Sequence, residues 1–291
     1  MWDAYKNLAV RLFGSISQRT AGSFMTLKPY LRGSQMGVML NTWVSITYFS
    51  TLLSYIISAA AIAVIGVVLA FGGLTLAYLL LFGPVMAASF VFVFFYVYPV
   101  QKASKIRNSI DNNLPFALSH MSAIASAGIP PEFMFELLMG FKEYGEIANQ
   151  SGLIVRNIKT FGMSSVDALR NVENSTPSPD FKQILSGIRS TIEKGGNLAK
   201  YLKEMSERAF FDYRIKRESY LKTLSTYSDI YTAVMITAPL IMLVVLGAMS
   251  AIGADVMGMA IDDVLFLVTW FVLPAINIVF IAFLHVTFPK A

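Results

Sequence analysis

The chain has 291 residues, of which 55% are hydrophobic and 14% charged, with a mean hydropathy of +0.59. A soluble globular protein carries about 25% charged residues, so the composition implies a large lipid-facing surface and excludes a pair of ordinary soluble domains. The net charge of +5 reads as positive-inside membrane topology rather than nucleic-acid binding, and the absence of cysteine removes disulfides and cysteine–metal sites.

Met1 to Leu40 has dispersed charges and no short apolar core before a small-residue cleavage site, so it does not read as a signal peptide. Trp2, Tyr5, Leu8, Leu12 and Phe13 are expected to share a helical face bordered by Lys6 and Arg11, interrupted at Lys28-Pro29-Tyr30-Leu31-Arg32-Gly33. The segment predicts one or two short helices, lying on the cytoplasmic membrane surface or packed on a soluble domain. Leu52–Phe71 is apolar and long enough to span a bilayer. Gly72-Gly73 predicts a tight turn, and Leu74–Tyr98 a second span that ends in an aromatic belt and Pro99.

A polar interval follows, with the periodicity of a small helical bundle. Leu114-Pro115 is expected to open its first helix, Pro being tolerated at an N-terminal position. Ala127-Gly128-Ile129-Pro130-Pro131 breaks the chain before a helix from Phe133 to Met139. Ile147, Ile154, Ile158 and Phe161 share the next face, and Phe161-Gly162 stops it. Ser164, with Asp167 three residues on, and Ser178 before Pro179 are N-cap signals. Phe181, Ile184, Leu185, Ile188 and Ile192 form an apolar stripe; Gly195-Gly196 ends it, and Asn197 caps a helix that carries Leu198, Leu202 and Met205. Asp229–Ile252 predicts a third span containing Pro239, Gly253–Asp263 a short loop, and Val264–Phe288 a fourth span with a kink at Pro274.

The expected fold is all-α: four transmembrane helices in two hairpins flanking a cytoplasmic helical bundle. Its expected parts are interfacial helices (1–50), a first hairpin (51–98), the bundle with linker helices (99–227) and a second hairpin (228–291). Seventeen Lys and Arg residues lie between Lys102 and Lys222, and five precede the first span, whereas the Gly253–Asp263 loop has three aspartates and no base. Both termini and the bundle are therefore expected in the cytoplasm of a multi-pass cell-membrane protein.

No catalytic set, cofactor site or metal site is expected. Gly195-Gly196-Asn197-Leu198-Ala199-Lys200 misplaces its lysine for nucleotide phosphates and reads as a helix stop. His120 and His285 are too isolated for a metal and read as packed or interfacial. Glu132, Glu136, Glu143 and Glu146, with Asp111, form an acidic stretch that is either a solvated face or a docking face; Arg208, Arg214, Lys216, Arg217 and Lys222 form a basic one, read as headgroup binding. Asp229, near Tyr231, opens the third span, as a functional membrane-boundary residue or as a helix N-terminal acid stabilised by the dipole. Asn277 is expected to hydrogen-bond between helices.

The ordered set Leu114-Pro115, Ala127-Gly128, Phe161-Gly162 with Ala168-Leu169, and Gly195-Gly196 with Leu198 and Leu202 resembles the type II secretion system F domain. Glu143-Tyr144-Gly145-Glu146-Ile147-Ala148 and Thr176-Pro177-Ser178 resemble its archaeal branch, which includes the archaellum platform protein. The resemblance covers about Tyr98 to Ser250. It implies a platform at the base of a pilus-like filament, coupling a cytoplasmic secretion ATPase to prepilin extraction. The implied partners are the ATPase, pilin or archaellin subunits and membrane lipids; nucleic acid is not among them. Many archaeal proteins of this kind carry the domain twice, so the single copy here invites a homodimer. A small transporter or channel is the alternative, disfavoured by apolar spans without an inverted repeat. Reporter fusions at Gly72 and Asp255 should read external and those at Gly145 and Lys290 internal; an external reading at Gly145 overturns the topology.

Overall fold

The computed structural model describes residues 2–68, 73–253, 255–256 and 259–287. The expected turn at Gly72, the side chain of His285 and the fusion site at Lys290 lie outside the described residues. The chain forms two compact units, Met1–Phe211 and Asp212–Ala291. The fold is all-helical as expected. The strand pairing among the described residues is a two-residue antiparallel ladder, Asp255–Val256 with Met259–Ala260. Four helical stretches are long and apolar enough to cross a membrane: Leu40–Gly66, Gly73–Ser126, Leu198–Ala251 and Ile261–Phe283.

The first unit begins with α1 (Trp2–Thr20), a 3₁₀ stretch (Ala21–Leu27) and α2 (Lys28–Gly33). The expected shared face of α1 is split. Tyr5 and Phe13 turn toward the next helix, where Tyr5 meets Phe49 at 5.1 Å and Phe13 meets Tyr48 at 6.3 Å, and Ala9 and Ser17 are fully buried. Leu8 and Leu12 point the other way and are 51% and 55% exposed. The small side chains at 9 and 17 let α1 lie close, and this packing outweighs the hydrophobic periodicity. Lys28-Pro29 starts a helix rather than interrupting one, because Pro at a first helical position leaves no bond unmade.

Two helices dominate this unit, α3 (Leu40–Val68) and α4 (Gly73–Ser126). The expected boundaries at 50/51 and 98/99 fall inside them. At 54 residues α4 is about 80 Å long at 1.5 Å per residue, and it contains Pro84, Pro99 and Pro115. Leu114-Pro115 thus does not open a helix. Leu114, Ala117, Leu118 and Met121 are all buried in the bundle core, and that packing carries the helix through the proline.

Pro99 cannot bond to the carbonyl four residues before it. That carbonyl belongs to Phe95, and it accepts a hydrogen bond from the Trp43 indole Nε1 of α3 at 3.2 Å. Trp43 is 2% exposed, lies 5.9 Å from the Phe95 ring and stacks on Tyr98 at 6.2 Å. Further along the pair, Gly83 passes so close to Ile62 that a Cβ would collide with its methyl.

The bundle continues through α5 (Pro131–Gly140), α6 (Glu146–Lys159), α7 (Ser165–Ser175), α8 (Pro179–Glu193) and α9 (Leu198–Tyr231). Ile106, Ile110, Leu118, Phe135, Ile147, Ile154, Leu169, Phe181, Leu185 and Leu202 meet in one core. Phe161, expected on that face, is 62% exposed because Gly162 turns the chain away in a left-handed conformation, φ 64°. The predicted caps are present. The Asp167 backbone N–H donates to Ser164 Oγ at 3.1 Å, that of Phe181 to Ser178 Oγ at 3.1 Å, and that of Lys200 to Asn197 Oδ1 at 2.9 Å. Tyr201 lies directly over Gly187, where any Cβ would strike its ring.

In the second unit, the widened helical turns Thr232–Thr237 and Val268–Val272 precede Pro239 and Pro274. Such turns are how membrane helices absorb prolines, so Pro274 sits after a widened turn. Between them lie α10 (Ala238–Ala251) and α11 (Ile261–Leu267), and α12 (Leu273–Thr287) follows. Asp262 and Asp263 belong to the first turn of α11 rather than to a loop. The Asn277 amide donates to Leu273 O of its own helix at 3.0 Å, not between helices.

Trp43→Phe should destabilise the protein by about 1–3 kcal/mol, since a buried carbonyl loses its donor; thermal unfolding in detergent measures this. A fragment 101–210 should be soluble and helical. It should outlast 114–210 in denaturant by about 4 kcal/mol or more, because the shorter fragment lacks the buried Ile106 and Ile110. Burial pushes the Tyr201 phenol above its ordinary value of 10.0. The folded state then holds this proton more tightly than the unfolded state does, so stability present below pH 10 falls as pH rises through the folded value. Denaturant midpoints of the fragment at about pH 8 and pH 10.5 should differ less in Tyr201→Phe than in the parent.

Candidate functional site

The four glutamates of the acidic stretch occupy separate places. Glu132, in the first turn of α5, accepts a hydrogen bond from the Ser165 hydroxyl at the start of α7. Glu136, one turn later, pairs with Lys159 at the end of α6, Nζ to Oε1 2.6 Å. Both carboxylates therefore tie α5 to its neighbours. Glu143 is exposed in a short 3₁₀ turn, Lys142–Tyr144. Glu146 opens α6, and its side chain lines a cavity of about 580 Å³ together with Lys102 and Arg156.

The turn between them is fixed by glycine. Gly145 has φ 55° and ψ −119°, and a Cβ there would sit 2.7 Å from Ser109 Oγ. The same Ser109 hydroxyl accepts the Glu146 backbone N–H at 3.2 Å, which holds the turn against α4. Beneath it His120 Nδ1 lies 3.2 Å from the Tyr144 hydroxyl and its ring 4.6 Å from Phe141. Burial first, and the Glu143 carboxylate second, push the Tyr144 phenol up. His120 is thus packed among aromatics, and among the described residues no cluster of His, Asp and Glu is arranged to hold a metal.

Asp111 also has structural partners. Its carboxylate takes Arg107 Nε at 3.3 Å and the Ser178 hydroxyl at 2.5 Å, anchoring the α7–α8 connection to α4. Arg189 is held by Glu173 at 3.1 Å and Glu193 at 3.2 Å; hydrogen bonding to Glu173 leads in raising its pKa. Gly195-Gly196 is the helix stop expected, with Gly195 at φ 66° and the Gly196 N–H closing on Thr191 O at 2.8 Å.

Within the second unit, Asp229 is exposed deep inside α9, about 30 residues from its N-terminus. The dipole reading of this acid is therefore overturned, since that field fades within the first turn. Tyr231, two residues on and so on the other side of the helix, packs its ring 5.3 Å from Phe280 of α12. The bases Arg214, Lys216, Arg217 and Lys222 are exposed along the same helix.

Sequence reasoning missed one arrangement. Lys28 and Arg32 of α2, Gln35, and Arg156 of α6 line a cavity of about 830 Å³. Arg156 lies more than a hundred positions from the other three, and the local signal is Gly33, which α2 needs because a Cβ would sit 2.8 Å from Pro177.

The comparisons bear on residues of this bundle and of the second unit. The family model for type II secretion system (T2SS), protein F, matches residues 117–246. An uncharacterized protein of Methanocaldococcus jannaschii is 24% identical over 197 residues, 67% of this chain and 33% of that protein. Flagella accessory protein J of the same organism is 22% identical over 139 residues, 47% of this chain and 25% of that protein. The matched stretches thus span a third or less of those relatives' own lengths. No solved structure matches the chain. With four helices long and apolar enough to cross a membrane, the chain is a multi-pass membrane protein, and its residues 117–246 match the family model for type II secretion system protein F.

Proposed function

We propose that the chain is the membrane platform of a type IV pilus-like filament machine, related to archaella and type II secretion, and that it couples a cytoplasmic secretion ATPase to extraction of pilin subunits. The observation that carries this reading is the family match over 117–246, which begins on α4, one continuous helix from apolar span to bundle core. A displacement of the bundle reaches the spans through that helix without crossing a flexible joint. The role is mechanical and needs no catalytic residues. The concentration of Lys and Arg between Lys102 and Lys222 supports a cytoplasmic bundle with both termini inside. A second copy of the chain is the proposed partner in the membrane.

The proposed ATPase contact is the surface around Glu143, with Glu132, Glu136 and Glu146 at its margins. Glu143 is the cleanest probe, because reversing Glu132 or Glu136 also breaks a contact within the bundle. Asp229 and Tyr231 are the proposed contact with pilin subunits or with the extraction path.

Capture of the full-length protein by the secretion ATPase encoded nearby tests the first contact. Glu143→Lys with Glu146→Lys should weaken capture about three- to tenfold at low salt and less at high salt, as complementary charge mainly speeds encounter. Membrane abundance should be unchanged. Lys182→Glu is the comparison, since reversing Arg189 would break its pair with Glu173. Intact capture by the glutamate variant with loss in Lys182→Glu would reassign docking to the basic side. For the second contact, Asp229→Asn should abolish filaments while leaving ATPase capture and abundance intact; normal filaments would remove Asp229 from the proposal.

A further inference from the structure

We propose that the cavity between α2, α6 and α7 binds the phosphate headgroup of an anionic membrane lipid. Lys28 and Arg32 enter it from α2 and Arg156 from α6, and no Asp or Glu lines it. Among the described residues none of these three bases makes an ion pair. Arg156 is instead oriented over the Phe161 ring, 5.9 Å from its centroid. A second cavity of about 490 Å³ shares Lys28 and Arg32, adds Arg107 and Lys182, and again has no carboxylate in its lining. Arg107 is paired with Asp111, but Lys28, Arg32 and Arg156 are like charges that folding brings together without an acidic partner; an anion placed among them turns their repulsion into attraction.

Neutral donors complete the wall. Asn171 and Asn174 line the larger cavity, and so does Gln35. Gln35 is the non-glycine residue held at positive φ, 53°, among the described residues. Backbone strain of this kind gathers at ligand sites, and here it sits in the rim of the cavity.

Position decides what anion fits. The other side of α2 buries Leu31 against Phe24, Trp43 and Val44, in the aromatic cluster where the apolar stretches of α3 and α4 end. Aromatic clusters of this type mark the headgroup level of a bilayer. The cavity wall then runs through Val38, Met39 and Leu40 directly into the apolar span of α3, and Met39 is 80% exposed. A phosphate at Lys28, Arg32 and Arg156 thus has an apolar track beside it, which suits an acyl or isoprenoid chain and serves no purpose for free phosphate or a nucleotide. Basic pockets at this level are suited to anionic headgroups. The site stands apart from the platform reading, and its test does not use filament assembly.

The test uses the full chain in neutral detergent, with native mass spectrometry counting bound phosphatidylglycerol and phosphatidylcholine. Phosphatidylglycerol should be retained in preference, and Arg32→Ala with Arg156→Ala should weaken its binding roughly 30-fold, two interfacial bases being lost. Arg32→Lys with Arg156→Lys should retain most of the binding, and Lys194→Ala with Lys200→Ala all of it. An unchanged thermal unfolding midpoint in detergent for the double alanine variant confirms that the fold is intact. Equal retention of both lipids, or full retention of phosphatidylglycerol by the double alanine variant, overturns the site. Displacement of the lipid by millimolar ATP or inorganic phosphate would show that the cavity takes a soluble anion and overturn the lipid assignment.

Discussion

A proline inside a helix leaves one carbonyl without a donor, and in a membrane that debt is severe because no water can settle it. Here the orphan is Phe95 O, four residues before Pro99, and the Trp43 indole meets it at 3.2 Å. That bond pins α3 to α4 at the level where both leave their apolar stretches. The same indole stacks on Tyr98 and forms the floor on which Leu31 of α2 rests. From the floor upward, α4 runs unbroken into the bundle and presents Ile106, Ile110 and Leu118 as one wall of its core. The membrane hairpin, the α2 seat and the bundle therefore share one fixed point.

What the chain reveals before folding is its local chemistry. Ser164, Ser178 and Asn197 were legible as caps because each bond reaches only three residues along. Gly128, Gly162 and Gly195 were legible as helix ends for the same reason, and all three adopt positive φ. The apolar spans were legible by length, although α3 starts twelve residues before its most hydrophobic part: Trp43, Ser45 and Thr47 are polar enough to mask a helix that tertiary contacts bury.

The failures have one cause, competition between a local rule and distant packing. Pro115 looks like a first-turn proline, and only the burial of Leu114, Ala117 and Leu118 shows that the helix passes through it. The glutamates look like one acidic face in sequence, yet two of them are engaged at the surface by Lys159 and Ser165 of neighbouring helices. Asp229 looks like a helix start because hydropathy rises there, while the helix carrying it began at Leu198. The pairing of Trp43 with Phe95 spans 52 positions and leaves no trace in periodicity. The basic cavity is hidden likewise, since Arg32 and Arg156 meet only after the bundle closes over α2.

The placement of α1 sets an order on synthesis. Its inward face is built from Tyr5, Ala9, Phe13 and Ser17, and the Tyr5 hydroxyl bonds to Ser50 Oγ at 2.7 Å, 45 residues later. Until α3 has left the ribosome this face has nothing to rest on, while Leu8, Leu12 and Ile16 on the adjoining exposed face are apolar as well. A helix apolar on two sides and without its partner is prone to association in water. The nascent α1 is therefore best sheltered at the bilayer surface first and docked second, so that insertion of α3 is the event that orients α1. Slowing that insertion would leave α1 waiting for the helix that seats it.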